Sequence, residues 1–134
     1  MIVVDDMGWG DFHSFTNGKG QIPTPKLDQL AARGLRLTSN YVQPTCTPSR
    51  ASLMTGRYAH NTGLTFAIWP SNNASLPSNI PTLPELLTSA GYSTHMVGKW
   101  HLGFSRWGDI PVGRGFQTHT GGYHGVLEYL VASL

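Results

Sequence analysis

The sequence predicts an α/β fold with a mainly parallel sheet flanked by helices, and three observations support this prediction. Apolar segments of strand length alternate along the chain with segments that carry helix start and stop signals. Glycine and proline fall at the boundaries between these segments. Polar clusters directly follow the apolar segments, at the carboxyl ends of strands, where parallel sheets place their ligand sites.

Three segments are predicted as strands. Residues 2–4 form a short apolar run that ends in two acids, as expected for a buried strand. Residues 35–42 and 92–97 have strand-like composition and each follows a helix that ends at a glycine. Strands that alternate with helices in this order predict a largely parallel sheet.

Three helices are predicted, each beginning at a threonine N-cap and ending at a glycine. The start and stop residues are Thr24 with Gly34, Thr47 with Gly56, and Thr82 with Gly91. Pro25 and Pro48 occupy first helical positions, and Glu85 completes a capping box. Residues 7–20 and 57–81 are rich in turn-forming residues and are predicted to be loops, the second of them a long surface loop.

Composition excludes several classes of function. The chain has 134 residues with 40% hydrophobic content, enough for one domain with its own core. The net charge of +2 includes no run of Lys or Arg, so a nucleic-acid partner is not expected. The apolar start, residues 1–4, is too short for a membrane span or a signal peptide. One cysteine permits no internal disulfide.

The first candidate site is the acid pair Asp5 and Asp6. Adjacent carboxylates repel each other unless a cation lies nearby, and Ca²⁺ prefers carboxylate oxygens. The alternative interpretation is that the two acids simply cap a turn, because Asp is common in turns. By themselves these two residues favour the turn.

The second candidate is residues 46–50, Cys-Thr-Pro-Ser-Arg, at a predicted helix start. Orphan backbone N–H groups and the helix dipole make this position suitable for an anion. Arg50 lies one turn further and adds a positive charge. A buried structural thiol is the alternative for Cys46. The Cys-x5-Arg spacing of thiol phosphatases does not occur, which disfavours a phosphocysteine mechanism.

The third candidate is residues 98–103, Gly-Lys-Trp-His-Leu-Gly. Lys99 supplies a compact positive charge and His101 a proton carrier that works near neutral pH. Alternation along an extended segment would place both side chains on one side. The alternative is a solvated strand end with Trp100 in the core.

Other polar residues carry weaker signals. The remaining histidines have no metal-ligand spacing, and among them His60 attracts slight interest; they are His13, His60, His95, His119 and His124. Asn73 begins an Asn-Ala-Ser triplet, which is an N-glycosylation sequon.

Together the three clusters resemble the motifs of type I, formylglycine-dependent sulfatases. Residues 46–57 resemble the Cys-x-Pro-Ser-Arg signature, residues 4–11 the N-terminal metal motif, and residues 91–103 the second signature. The similarity runs from residue 2 to about Phe116. Within the family, residues 62–70 and 94–97 are most similar to the arylsulfatase B subfamily, which are N-acetylgalactosamine-4-sulfatases.

The resemblance implies a reaction. The formylglycine-generating enzyme of the endoplasmic reticulum would oxidise Cys46 to formylglycine, whose hydrate attacks sulfur to form a covalent sulfate ester. His101 would take the proton from the second oxygen and so expel sulfate. Arg50 and Lys99 would bind the substrate and hold the hydrate. Such a set of cations offsets charge that develops in the transition state.

The resemblance also implies a metal site and an incomplete fold. Asp5, Asp6 and modified Cys46 would bind one Ca²⁺, and the family's remaining ligands lie far downstream. The expected architecture is a partial alkaline-phosphatase-like fold, with residues 1–134 as the N-terminal part of a catalytic domain and residues 118–134 atypical. We therefore expect the chain to be inactive by itself.

Substrate and location follow from the same resemblance. Sulfated small molecules or glycans, including glycosaminoglycans, would be substrates, and the protein would be a lysosomal or secreted glycoprotein. Two other hypotheses stay open. One is a non-catalytic fragment that binds sulfated glycans or another chain through an unfinished sheet edge. The other is a phosphate-ester hydrolase that uses unmodified Cys46.

Overall fold

The computed structural model describes residues 1–16, 19 and 22–125. The chain folds as two units, Met1–Tyr41 and Val42–Leu134, and each is described by itself. No helix in the described part of the chain has the length and apolar character needed to cross a membrane.

The first unit contains one regular helix, α1, at Pro25–Arg33. It begins after Thr24 and ends before Gly34, as the sequence predicts. The Thr24 hydroxyl donates to the Asp28 carboxylate at 3.2 Å across the first turn. Residues 7–16 form a loop, as predicted, with two short 3-10 helices, Trp9–Asp11 and His13–Thr16.

The predicted strands at residues 2–4 and 35–42 are wrong. Both segments are irregular, and no described residue forms a sheet ladder with them. A strand is stable only when its backbone groups bond to a neighbouring strand, and apolar composition alone cannot supply that neighbour. Ile2 and Leu35 accordingly remain 81% and 87% exposed.

The second unit contains a two-stranded parallel sheet. Strand β1, His95–Val97, pairs with β2, Thr118–Thr120, with Met96 opposite His119. The strand predicted at residues 92–97 therefore forms over its second half. This parallel pair, with helices around it, confirms the predicted α/β class.

Three helices precede the sheet: α2 at Cys46–Thr55, α3 at Ala59–Thr62 and α4 at Leu83–Ser89. The prediction for α4 is confirmed, since Glu85 accepts a hydrogen bond from the Thr82 backbone at 2.6 Å. For α2 the predicted N-cap is wrong. The N-cap is Thr45, and Thr47 lies inside the first turn because its hydroxyl bonds elsewhere in the core.

The segment 57–81 is not the surface loop that its polar composition suggests. It contains α3 and contributes several apolar side chains to the core. The prediction failed because these apolar residues occur at irregular spacing among Asn, Ser and Pro residues. The buried core cluster consists of Ala51, Met54, Leu64, Ile68, Leu76, Trp100 and Leu102. The cluster thus includes two residues of α2 and two of the residues that follow β1.

Arg114 connects residues 57–81 with α4 through hydrogen bonds and an ion pair. It ends a short 3-10 helix, Pro111–Arg114, and is 2% exposed. Its guanidinium donates to the carbonyls of Leu76 at 2.9 Å and Ile80 at 2.6 Å, and pairs with Glu85 at 3.2 Å. A buried cation is stable only with such a complete set of acceptors.

Replacing Arg114 by methionine should destabilise the chain by about 2–4 kcal/mol, because buried carbonyls lose their donors and Glu85 loses its partner. Urea denaturation followed by circular dichroism measures this change. Arg57→Ala, at an exposed position, is the matched control and should shift the free energy of unfolding by less than about 0.5 kcal/mol. Equal stability of the two variants would contradict the account of Arg114.

Candidate active site

Cys46 is the first residue of α2. The preceding Thr45 is extended, with φ −138° and ψ 172°, so the helix begins abruptly and its first N–H groups surround the start of the turn. Cys46 is a free thiol and is half-buried. The next residues of the turn, Thr47 and Pro48, are buried and hold this end of the helix in the core.

The second element of the site is the loop of residues 98–103, which follows β1. Three of its residues have left-handed backbone conformations: Gly98, His101 and Gly103, with φ of 115°, 58° and 109°. A β-carbon on Gly103 would lie 2.4 Å from the Ser75 β-carbon, so the loop needs glycine there. At His101 the same conformation is strained for a histidine, and such strain persists only where packing enforces it.

Trp100 anchors this loop. Its side chain is 1% exposed, and its indole N–H is shared between the carbonyls of Gly103 and Asp109, each at 2.9 Å. Its ring also packs edge-on against Phe116. Trp100 thus lies in the core, as the structural alternative for this segment proposed, while its neighbours in the loop remain available for the site.

Residues 120–123 hold the other side of the loop. Backbone N–H groups of Gly98, Trp100 and His101 donate to the carbonyls of residues 120, 122 and 123 at 2.8, 2.9 and 3.1 Å. These bonds continue the parallel pairing of β1 and β2 beyond the strands themselves. The loop is therefore fixed by backbone bonds, independently of its side chains.

Two side chains of α2 join the helix to this loop. The Thr47 hydroxyl donates to the His101 carbonyl at 3.0 Å, and the Arg50 guanidinium donates to the Lys99 carbonyl. Both contacts are buried or nearly so, and Arg50 is 9% exposed. Since Cys46 precedes Thr47 in the same turn, the structure brings the second and third predicted clusters together.

His101 is bonded within the core through its ring. Its ring is 5% exposed and Nε2 lies 2.8 Å from the Ile68 carbonyl, while Lys99 is half-buried. The positive φ of His101 ends the extended path on which the predicted alternation depends, and a shared side for Lys99 and His101 stays a prediction. The backbone carbonyls of Lys99 and His101 both accept hydrogen bonds from side chains of α2.

Comparison with known proteins decides the family. The profile of the family described as Sulfatase matches residues 1–133. The chain belongs to the sulfatase family. This confirms the family and the fold class that the three motifs indicate, in a family of sulfuric ester hydrolases.

Relatives among the sulfatases are similar over most of this chain. Arylsulfatase J of Mus musculus is 47% identical over 131 residues, which cover 96% of this chain and 21% of the relative. N-acetylgalactosamine-6-sulfatase of Sus scrofa is 43% identical over 112 residues, covering 77% of this chain and 21% of the relative. The chain thus spans about a fifth of the length of these curated relatives.

A solved sulfatase has the same fold over this region. The PsFucS1 sulfatase from Pseudoalteromonas sp. superimposes with a TM-score of 0.79 and is 41% identical, covering 91% of this chain and 25% of that chain. The small parallel sheet and its helices therefore correspond to part of a sulfatase domain. The resemblance to the arylsulfatase B subfamily stays a prediction, as does the atypical character of residues 118–134, of which 126–134 lie outside the described residues.

In this sulfatase chain the acid pair lies in the first unit. Asp5 and Asp6 form an exposed turn, and Asp6 has a left-handed φ of 58°, which Asp tolerates. Their oxygens suit Ca²⁺, but two carboxylates supply fewer than its usual ~6–8 ligand atoms. Among the described residues no group of three or more Asp, Glu, His or Cys side chains is placed to hold a metal.

The weaker candidates have contacts of their own, and Nε2 of His119 lies 3.1 Å from the Gly98 carbonyl of the loop. Asn73 is exposed, its side-chain oxygen accepts from Ser105 at 3.3 Å, and its glycosylation stays a prediction. His60 stacks on Tyr58, and His95 bonds to Thr118 at 2.8 Å. His13, His119 and His124 belong to no metal cluster in the described part of the chain.

Sequence reasoning missed three residues that shape the site: Thr47, Ile68 and Gly125. Thr47 has a helix-start signal, which conceals the use of its hydroxyl in the core. Ile68 acts through its backbone carbonyl, for which no side-chain pattern exists. Gly125 lies against the His101 ring, and a β-carbon there would be 2.6 Å from Cε1. Only a three-dimensional structure reveals contacts of this kind.

Proposed function

We propose that this chain carries the nucleophile and the proton acceptor of a sulfate-ester hydrolase. The observation that carries the proposal is the pair of hydrogen bonds by which Thr47 and Arg50 join the start of α2 to the loop of Lys99 and His101. Cys46 precedes Thr47 in the first turn of α2, which supports a role for it next to the cationic loop. A helix start offers backbone N–H donors of the kind that an anionic ester needs.

The proposed nucleophile is residue 46 after conversion of its thiol to formylglycine. When the aldehyde is hydrated, one hydroxyl can attack sulfur, the S–O bond to the substrate alcohol breaks, and the proton of the attacking hydroxyl ends on the departing alcohol. The other hydroxyl then allows the resulting ester to be eliminated. His101 takes the proton from that second hydroxyl, so the C–O bond to sulfate breaks and the aldehyde returns. An imidazole suits this transfer because it changes protonation state near neutral pH.

Arg50 and Lys99 have different roles in the proposed reaction. Arg50 is 9% exposed and already donates to the loop, so its fixed guanidinium stabilises the hydrate and sulfate from the helix side. Lys99 is half-buried and its flexible ammonium reaches the transferred sulfuryl group. Together they offset the charge that accumulates on the sulfate oxygens in the transition state.

We also propose that Asp5 and Asp6 bind Ca²⁺. Their adjacent, exposed carboxylates in a tight turn provide oxygen ligands of the kind that the ion prefers. In the complete site Ca²⁺ would polarise an ester oxygen and would help to ionise the nucleophile. Modified Cys46 as a further ligand stays a prediction of the family resemblance.

The proposed substrates are sulfate esters of glycans. One relative is named N-acetylgalactosamine-6-sulfatase, and sulfated sugars present an anionic group that suits the cations. The proposed partner in maturation is the formylglycine-generating enzyme, and the proposed location is lysosomal or secreted. Because the chain spans about a fifth of its relatives, activity is best measured in a chimera in which it replaces the matching segment of mouse arylsulfatase J.

Peptide mass spectrometry across residue 46 tests the proposal. After secretory expression of the chain with the formylglycine-generating enzyme, we expect a peptide with the lower mass of the aldehyde, which also reacts with a hydrazide. The control is the same chain expressed without that enzyme, which should retain the thiol. An unmodified thiol under both conditions would contradict the proposal and would favour a hydrolase that uses the cysteine directly.

A further inference from the structure

We infer that Thr47 is a positioning residue that fixes the ring of His101, holds its proton on Nε2 and leaves Nδ1 as the proton acceptor. The inference deepens the proposed function, because it names the atom through which His101 would act. It depends on three hydrogen bonds that close a ring among Thr47, Ile68 and His101. Each bond joins a different pair of these residues.

The ring of bonds is complete and buried. The Thr47 hydroxyl donates to the His101 carbonyl at 3.0 Å and accepts from the Ile68 backbone N–H at 3.2 Å. The Ile68 carbonyl lies 2.8 Å from Nε2 of His101. Thr47 is 0% exposed, so no water competes for either bond. Thr47, which follows residue 46, thus fixes the position of the His101 backbone and, through Ile68, the orientation of the His101 ring.

The contact with Ile68 determines the tautomer. A backbone carbonyl can only accept a hydrogen bond, so Nε2 must carry a proton to bond at 2.8 Å. In a neutral imidazole one nitrogen is a donor and the other an acceptor. Nδ1 is therefore the basic nitrogen of neutral His101, and the proton removed during ester elimination goes to Nδ1.

Gly125 holds the ring from a second direction. A β-carbon at this position would lie 2.6 Å from Cε1 and 2.9 Å from Nε2 of His101. The glycine backbone therefore lies against the imidazole, and no side chain fits there without moving the ring. Thr47 and Gly125 restrict His101 through different contacts, which provides two independent variants for a test.

Nuclear magnetic resonance of the histidine-labelled 134-residue chain tests this inference without any turnover. In mildly alkaline buffer, long-range ¹H–¹⁵N spectra should show His101 as the Nε2–H tautomer, with slow exchange of the ring proton. Thr47→Val, which keeps the shape and removes the hydroxyl, should speed that exchange roughly 2- to 10-fold, as expected for the loss of one net hydrogen bond. Thr47→Ser should behave like the wild type.

Gly125→Ala is the second variant and should also speed exchange, since it displaces the ring and leaves the hydroxyl in place. It decides the question if Thr47→Val does not fold. In the chimera, Thr47→Val should lower kcat and leave KM nearly unchanged. An Nδ1–H tautomer, a mixture of tautomers in the wild type, or unchanged exchange in a folded variant would overturn the inference. These spectra do not depend on residue 46 being modified, so failure here is distinct from failure of the proposed function.

Discussion

Replacing Cys46 by serine in the arylsulfatase J chimera is expected to stop turnover after one sulfuryl transfer. Serine keeps one oxygen at the start of α2, where the helix N–H groups and Arg50 favour an anionic ester. It lacks the second oxygen through which the ester could be eliminated. Steady-state kcat should fall roughly 10⁴- to 10⁶-fold, the range for loss of a covalent nucleophile.

An aryl sulfate assay with rapid mixing measures this effect. The serine variant should release up to one equivalent of phenol and then stop, with sulfate retained on the serine. Cys46→Ala is the matched control, because it has no oxygen and should show neither release nor retained sulfate. Multiple turnovers by the serine variant at a rate near that of the wild type would contradict a mechanism with two oxygens on residue 46.

Replacing His101 by asparagine should lower kcat roughly 10²- to 10⁴-fold, the usual contribution of a general acid or base. Asparagine is chosen because it tolerates the left-handed backbone, with φ of 58°, and its amide can donate to the Ile68 carbonyl. The change therefore removes the proton acceptor and preserves the local contacts. Initial rates of aryl sulfate hydrolysis by the chimera measure the loss.

His60→Ala is the control for this experiment. His60 is exposed and stacks on Tyr58, away from the bonds that join α2 to the loop. Its removal should change kcat by less than about twofold, as for a surface substitution without buried partners. A His101→Asn variant with the activity of the His60→Ala variant would show that His101 takes no proton in the reaction.

The parts of the fold that the sequence predicts are those determined by local signals. Helix α4 begins directly after Thr82, to which Glu85 bonds back, and α1 begins at Pro25 and ends before Gly34. A strand forms only if it pairs with another strand, which is often distant in the sequence. Residues 2–4 and 35–42 have strand-like composition but are irregular, because no described strand pairs with them. The prediction of a surface loop at residues 57–81 was wrong because the buried apolar residues there follow neither a helical nor a strand period.

The candidate site was predicted only as separate pieces. Residue type and motif order predict Cys46, Arg50, Lys99 and His101 as site residues, and the structure joins the helix of the first two to the loop of the other two. The contacts that join them involve backbone carbonyls of Lys99, His101 and Ile68, which any residue would present. No residue pattern can therefore reveal them. The positive φ at His101 could not be predicted from the sequence either, because histidine adopts that conformation much less readily than glycine.

The most direct test of the account is to locate the sulfuryl group in the His101→Asn chimera. After a brief reaction with excess aryl sulfate and an acid quench, peptide mass spectrometry should find residue 46 esterified with sulfate, because formation of the ester continues and its elimination is slow. The wild-type chimera, quenched in the same way, should carry far less. Absence of sulfate from residue 46 in a variant that still releases phenol, or sulfate on another side chain, would contradict the account.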